Sequence, residues 1–238
     1  MSIISKETIS RLVKDVKQIM KNPLTDNGIY YIHDDTDMLK GYALIIGPSN
    51  TPYFGGNYFF EFKYPTDYPH SPPKVRYCTN GEEVRFNPNL YKCGKVCISL
   101  LNTWRGEQWT SCQSISTVLL TLCSLLCENP LLNEPGVTSS HLDIKNYNKI
   151  IEYSNINVAV CYIVSKKYGY YQPFFEYFYT YVKENFIKNY DNLLEFCKSK
   201  LDTEFKENVN LKTQLYSMDI CINYSELIEK LEIVRKNL

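Results

Sequence analysis

The sequence predicts an α+β fold from three observations: an amphipathic helix at the start of the chain, a strand-rich stretch after it, and helical periodicity through the last third. The chain has 238 residues, of which 44% are hydrophobic and 22% are charged. This composition is ordinary for a globular protein that buries a core. The length suits one core domain with a sizeable extension.

The first twenty residues predict an amphipathic helix. Apolar side chains recur there at helical spacing, at Ile9, Leu12, Val13, Val16, Ile19 and Met20. Basic side chains occupy the other face, at Lys6, Arg11, Lys14, Lys17 and Lys21. The Asn22-Pro23 pair ends the helix, because the residue before a proline is pushed out of the helical region.

Three short strands are predicted next. Residues 42–46 are an apolar run that ends at a Gly-Pro turn, and residues 57–64 are rich in the aromatic side chains that favour strands. A proline-rich loop at residues 65–73 follows, which can form neither a helix nor a central strand. It leads into a third short strand at residues 74–77.

The chain then becomes irregular before it turns helical. Residues 80–110 show no clear period yet contain apolar anchors, and long irregular segments of that kind are often functional. Helical patterns follow at residues 114–127, 143–166 and 224–236.

A division into two parts follows from these patterns. We expect a core domain at residues 1–167 and a helical extension at residues 168–238 that packs on it. A run of aromatic side chains at residues 174–181 favours packing of the extension against the core. The alternative is that the run forms a binding surface.

Charge and cysteine content limit the classes of function that the sequence supports. Lys+Arg and Asp+Glu both number 26, so the formal net charge gives no support to nucleic-acid binding or to a membrane-surface role. No apolar stretch approaches the ~18 residues that cross a bilayer, and charges interrupt residues 1–20, so we expect no secretory signal. With nine cysteines, an odd number, we expect free thiols in a reducing compartment, cytoplasmic and/or nuclear.

Neither a metal site nor a hydrolase is favoured. Cys93 lies four residues before Cys97, but the chain has no CxxC pair and no closely spaced histidine ligand, so we predict no metal and no cofactor. A cysteine hydrolase would need a histidine partner, and only three histidines occur.

The most specific pattern is RFNPNLYKCGKVCISLLNTW at residues 85–104, in which Asn89 stands eight positions before Cys97. It resembles the active-site segment of ubiquitin-conjugating enzymes, where a His-Pro-Asn tripeptide precedes the catalytic cysteine by that distance. Four further matches occur in order along the chain: Pro52-Tyr53 with Gly55-Gly56, the proline-rich loop, Trp109 after the cysteine, and the helix end at residues 125–127.

The resemblance narrows to the extended branch of that family, which includes ubiquitin-conjugating enzyme Z. Asn87 replaces the usual histidine, and a few extra residues separate Cys97 from Trp109. The branch has a C-terminal extension, receives its cargo from the second ubiquitin-activating enzyme, and can carry another ubiquitin-like modifier. If the tail packs near the Cys97 cleft, it could select that enzyme or the cargo.

The resemblance implies a fold and an activity. The fold is a four-stranded antiparallel meander packed on helices. The activity is to accept ubiquitin or a ubiquitin-like protein from an activating enzyme as a thioester on Cys97, and to transfer it to a lysine amine or a ligase, with ATP used only upstream. The alternative is a non-catalytic ubiquitin-binding variant of the same fold, and Cys97 argues against it because such variants normally lack the cysteine.

The resemblance also assigns residue roles. Asn89 is the candidate amide donor to the oxyanion of the transition state, or else it only shapes the loop. Glu134 and Asn133 are candidates for orienting the incoming lysine. The predicted substrate-binding residues are Asn87, Ser99 and Trp109.

A partner surface is expected around the first helix. In the family this helix meets the activating enzyme, and ligases share part of the surface. The candidate residues are Lys6, Lys14, Lys17, His70 and Ser111. His70 and Ser111 replace an apolar residue and a proline that are common in the family, and this puts ordinary RING ligases in doubt as partners.

Overall fold

Four antiparallel strands form a meander in sequence order: β1 (Ile29–His33), β2 (Lys40–Ile46), β3 (Asn57–Lys63) and β4 (Lys74–Tyr77). The computed structural model describes residues 4–238. The predicted α+β class and the four-stranded meander are confirmed. The sequence pattern had indicated β2, β3 and β4 but not β1, whose five residues are mostly half-buried and show no alternation.

Helix α1 (Lys6–Lys21) begins where Ser5 accepts a hydrogen bond from the Thr8 N–H, and it ends at Asn22 as predicted. Residues 1–3 of the predicted helix lie outside the described residues. The buried face differs from the predicted one: it consists of Thr8, Leu12, Asp15 and Ile19. Exposed side chains of α1 include Ile9, Val13 and Met20. Asp15 is buried because it pairs with Arg11 and accepts a hydrogen bond from Tyr68.

Two helices pack behind the sheet. Helix α2 (Ile115–Ser124) begins at a capping box on Ser114, and α3 (Ile144–Ser154) continues directly into a wholly buried π-helix (Asn155–Tyr162). The polar groups of this π-helix find partners in the sheet: the Tyr58 hydroxyl donates to Asn155 Oδ1 at 2.6 Å. The wider turn of the π-helix therefore lies in the core, where its polar groups are hydrogen-bonded.

The C-terminal extension contains α4 (Tyr179–Thr203), β5 (Val209–Lys212), β6 (Asp219–Ile222) and α5 (Tyr224–Lys236). The predicted helical extension is confirmed, and it also contains the β5–β6 hairpin. The two strands of this hairpin alternate in sequence (VNLK and DICI), but each has only four residues, the shortest run that indicates a strand. Among residues 4–238, no helix combines the length and apolarity needed to cross a bilayer.

The extension covers one face of the sheet. The Phe175 ring stacks on Phe59 of β3 at 3.8 Å between centroids, and the Tyr181 ring stacks on Tyr30 of β1 at 4.2 Å. Phe175 and Phe178 are fully buried, whereas Tyr177 is 56% exposed. The aromatic run is thus mainly core, and the sheet is covered on both faces. The division at residue 167 stays a prediction.

Candidate active site

A tight chain reversal brings Asn89 and Cys97 together. The Cys97 N–H donates to the Asn89 carbonyl at 2.9 Å, and Leu90 forms a bridge with Val96 inside the reversal. The turn depends on Gly94, which has φ +90° and where an added Cβ would lie 2.9 Å from the Tyr77 carbonyl oxygen. The eight-residue spacing therefore corresponds to a direct contact between Asn89 and Cys97.

Asn89 binds the backbone of the cysteine. Its Nδ2 donates to the Cys97 carbonyl at 2.6 Å, and its Oδ1 is buried with no hydrogen-bond partner among residues 4–238. In this conformation Asn89 shapes the loop. An amide nitrogen carries two hydrogens, so a second N–H remains for an oxyanion. The direct role of Asn89 stays a prediction.

The Cys97 sulfur is covered by the loop that follows it. The residue is only 3% exposed, and its thiol donates to the Thr103 carbonyl at 3.1 Å. Thr103 is fixed in turn, because its hydroxyl donates to the Val96 carbonyl and accepts from the Ile98 N–H. In this conformation the Thr103 carbonyl therefore occupies the hydrogen bond of the thiol.

Ser99 lies beside that loop. It is half-buried, and an added Cβ at Gly106 would lie 3.1 Å from the Ser99 Cβ. Trp104, on the same loop, is 47% exposed. The structure therefore places Ser99 at the edge of the covering loop, and its contact with a modifier stays a prediction.

Asn87 does not bind substrate. It is 0% exposed, and its Nδ2 donates to the Leu125 carbonyl at 2.8 Å and to the Tyr53 hydroxyl at 3.2 Å. Its Oδ1 accepts the Asn89 N–H at 2.9 Å. The substrate-binding prediction is wrong for Asn87, because the side chain points into the core. These bonds hold the tripeptide where the family has a histidine.

Trp109 is also a structural residue. It is 7% exposed, its Nε1 donates to the Pro69 carbonyl at 2.7 Å, and its ring packs on Tyr68. Its contact with a substrate stays a prediction. The indole joins the segment after Cys97 to the proline-rich loop.

Asn133 and Glu134 lie close to the tripeptide through a shared carbonyl. Asn133 Nδ2 donates to Leu125 O at 3.3 Å, the same oxygen that Asn87 binds. The half-buried Glu134 carboxylate accepts a hydrogen bond from the Tyr216 hydroxyl at 2.5 Å. Hydrogen bonds thus link Cys97 to Asn89, Asn89 to Asn87 and, through the Leu125 carbonyl, Asn87 to Asn133, which precedes Glu134 in the chain. Their catalytic roles stay predictions.

Four of the other thiols are poorly suited to act as nucleophiles. Burial raises the pKa of Cys78, Cys161 and Cys197 to about 12, and burial also raises the pKa of Cys127. Residues 4–238 hold no group of three or more His, Cys, Asp or Glu that could bind a metal ion.

The predicted partner residues lie on adjoining elements. Lys6, Lys14 and Lys17 are exposed on α1, and exposed His70 lies 3.3 Å from Glu7 at the start of that helix. Exposed Ser111 is tied to α1 through its carbonyl, to which the Arg11 guanidinium donates at 2.5 Å. Arg11 also pairs with buried Asp15, so it is a structural clamp and not part of a free basic face. Partner binding by the five predicted residues, Lys6, Lys14, Lys17, His70 and Ser111, stays a prediction.

Three residues with a place in the site were missed from the sequence. Thr103 covers the cysteine, Arg85 binds the backbone of the tripeptide, and Tyr216 binds Glu134. Arg85 and Thr103 fall inside the recognised segment, so their positions were available as a signal. Tyr216 lies 82 residues from Glu134, and no local pattern marks it.

Comparison with known proteins agrees with this geometry. Residues 11–154 match the family model described as "Ubiquitin-conjugating enzyme". Ubiquitin-conjugating enzyme E2 Z of Danio rerio is 38% identical over 98% of this chain and 70% of its own length. The protein of the same name from Homo sapiens is 42% identical over 82% of this chain and 54% of its own length. Thus the chain spans from about half to 70% of the length of these relatives. It belongs to the ubiquitin-conjugating enzyme family.

Proposed function

We propose that this chain accepts ubiquitin or a ubiquitin-like protein from an activating enzyme as a thioester on Cys97, and then transfers it to a lysine amine or to a ligase. The observation that carries the proposal is the reversal at residues 89–97, which sets the Asn89 amide on the backbone of the cysteine. Family membership supports the same reaction class.

The first step is a thiol exchange. The Cys97 sulfur attacks the carbonyl carbon of the modifier's thioester on the activating enzyme. The new C–S bond forms as the old one breaks, and the proton lost from Cys97 ends on the departing thiol of the activating enzyme. No other ionisable side chain hydrogen-bonds the Cys97 sulfur among the described residues; its partner is the Thr103 carbonyl.

The second step is aminolysis. A lysine amine attacks the thioester carbonyl, and negative charge develops on its oxygen. A well-aimed amide donor stabilises such an oxyanion by about 3–4 kcal/mol, and the unused N–H of Asn89 is the candidate. The Glu134 carboxylate is the candidate acceptor that orients the amine and takes its proton. Collapse of the tetrahedral intermediate breaks the C–S bond and forms the amide bond, and the proton passes from Glu134 to the departing sulfur, which returns as the Cys97 thiol.

A charging assay tests this function. The protein is incubated with ATP, ubiquitin and each of the two ubiquitin-activating enzymes in turn, and the products are separated on a non-reducing gel. We expect a band one ubiquitin heavier, which thiol reductant removes. Cys97→Ala abolishes it and Cys97→Ser holds a reductant-resistant adduct, while Cys93→Ser, at an exposed cysteine, leaves it unchanged. If no modifier is loaded by either enzyme, the chain is the non-catalytic binding variant.

The same assay tests the proposed partner surface. Lys14 and Lys17 are exposed on α1, where a charge reversal disturbs no recorded ion pair. We expect Lys14→Glu with Lys17→Glu to slow charging, since electrostatic complementarity mainly sets the association rate. Lys198→Glu, at an exposed lysine of α4, is the matched control. Equal charging rates for the two variants would place the activating enzyme elsewhere.

A further inference from the structure

The turn between β5 and β6 reaches the active site from the C-terminal extension. At its tip, the Tyr216 hydroxyl donates to Glu134 Oε2 at 2.5 Å. Burial, and next the bond to Glu134, raise the pKa of Tyr216 far above its usual value, so the hydroxyl remains a donor at neutral pH. Tyr216, which lies outside the residues 11–154 that match the family model, therefore hydrogen-bonds the carboxylate of Glu134, a predicted catalytic residue.

The same turn also touches the catalytic tripeptide through Arg85. The Arg85 guanidinium lies between the rings of Tyr91, at 3.5 Å, and Tyr216, at 4.9 Å from the ring centre. It donates to the carbonyls of Asn87 at 3.0 Å and Pro88 at 2.6 Å. Tyr216 is thus connected both to Glu134 and to the backbone that carries Asn89.

The turn is held firmly in an unfavourable backbone conformation. Tyr216 has φ +63°, a region that side chains other than glycine rarely adopt. The Asp143 carboxylate fixes the turn by accepting the N–H groups of Gln214 at 3.1 Å and Leu215 at 2.8 Å. Strain of this kind persists only where the surroundings impose it, and it is concentrated at functional sites.

We propose that Tyr216 is a positioning residue for aminolysis, which aims the Glu134 carboxylate at the amine that attacks the Cys97 thioester. The inference rests on the proposed function, because it assigns Tyr216 to the second step of that reaction. Two links connect Glu134 to the tripeptide: Tyr216 contacts Arg85, which binds the Asn87 and Pro88 carbonyls, and the neighbouring Asn133 shares the Leu125 carbonyl with Asn87. The extension then contributes to the chemistry and does more than cover the sheet.

Single-turnover discharge tests the proposal. The full chain is charged with ubiquitin, charging is stopped, and loss of the thioester is followed at several concentrations of free L-lysine. We expect Tyr216→Phe to charge normally and to discharge roughly 5- to 20-fold more slowly at saturating lysine, because misplacing a reacting group by less than 1 Å already lowers the rate. Each rate constant is measured per charged molecule, so a reduced folded fraction does not mimic the effect.

Tyr171→Phe is the matched control. Its hydroxyl also donates to a carboxylate of the extension, Glu176 at 3.0 Å, but outside the site. We expect wild-type discharge from this variant. If Tyr216→Phe discharges as fast as Tyr171→Phe while its melting temperature falls, the Tyr216 hydroxyl only anchors the extension and the proposal is overturned.

A double-mutant cycle separates positioning from a general structural effect. If Tyr216 acts through Glu134, Tyr216→Phe should slow a Glu134→Gln background less than 2-fold at saturating lysine, since the carboxylate it aims is gone. An equal slowing in both backgrounds would contradict the proposal. Failure of the wild-type chain to charge at all would instead refute the proposed function, so the two failures are distinguishable.

Discussion

Replacing Asn87 by aspartate tests whether the tripeptide is held by the hydrogen bonds described above. The change keeps size and shape and keeps the oxygen that accepts the Asn89 N–H. It exchanges the Nδ2 donor, which faces the Leu125 carbonyl at 2.8 Å, for an oxygen. A protonated aspartate can still donate to that carbonyl, whereas an ionised aspartate places a buried negative charge against it.

The expected loss depends on pH. Burial without a dedicated cation raises the pKa of a carboxyl in the folded chain above its unfolded value of about 3.9. Arg85 offsets only part of the charge, because backbone carbonyls already occupy its guanidinium. A rise of ~2–3 pKa units corresponds to about 3–4 kcal/mol of stability that is present at low pH and lost as pH rises through the folded pKa.

Thermal unfolding at pH 5 and pH 8 measures this loss. For a chain of this size each kcal/mol lowers the melting temperature by ~2–4 °C, so Asn87→Asp should melt about 6–16 °C below wild type at pH 8. At pH 5 the deficit should be only about 3–6 °C, because pH 5 lies about one unit above the unfolded pKa and only about 1.5 kcal/mol has been lost there. Wild type at both pH values is the control. An equal deficit at the two pH values would show that residue 87 does not ionise in a buried site, and the reasoning would be refuted.

Three further predictions concern packing. Trp109→Phe should lower the free energy of unfolding by about 1–3 kcal/mol, because it leaves the Pro69 carbonyl without its indole donor. Discharge per charged molecule should stay near wild type, and a large change in that rate would support the substrate-binding role. Arg11→Met should lower the free energy of unfolding, measured with denaturant, by about 3–5 kcal/mol, because buried Asp15 loses its counter-charge. A loss below 1 kcal/mol would contradict the structural role of Arg11. Phe175→Ala should lower the free energy of unfolding by about 3–5 kcal/mol and keep a single unfolding transition. Separate transitions for core and extension would contradict the shared core.

The parts of the site that the sequence revealed are local in the chain. Asn89 and Cys97 are joined within one reversal, so their spacing alone carries the contact. The fold class followed equally well, because α1, α2 and α5 have helical periods and β2 and β3 are aromatic or apolar runs. Such patterns are decided by neighbours a few residues away.

Side-chain direction was not available from the sequence. Asn87 and Trp109 stand near the motif and were assigned to the substrate, yet both face inward. Their partners lie far away in the sequence: Asn87 binds a carbonyl 38 residues away, and Trp109 binds one 40 residues away. The contact between Tyr216 and Glu134 spans 82 residues and depends on a hairpin whose strands have only four residues each.

The covering of the sheet by the extension has a consequence for biosynthesis. Phe59 is fully buried, and the aromatic ring that stacks on it lies more than a hundred residues downstream. On a ribosome, the meander is complete long before that ring emerges, and one aromatic face of the sheet stays open in the meantime. Translation that pauses between residues 80 and 175 should therefore leave a nascent chain that needs a chaperone to keep that face from aggregating.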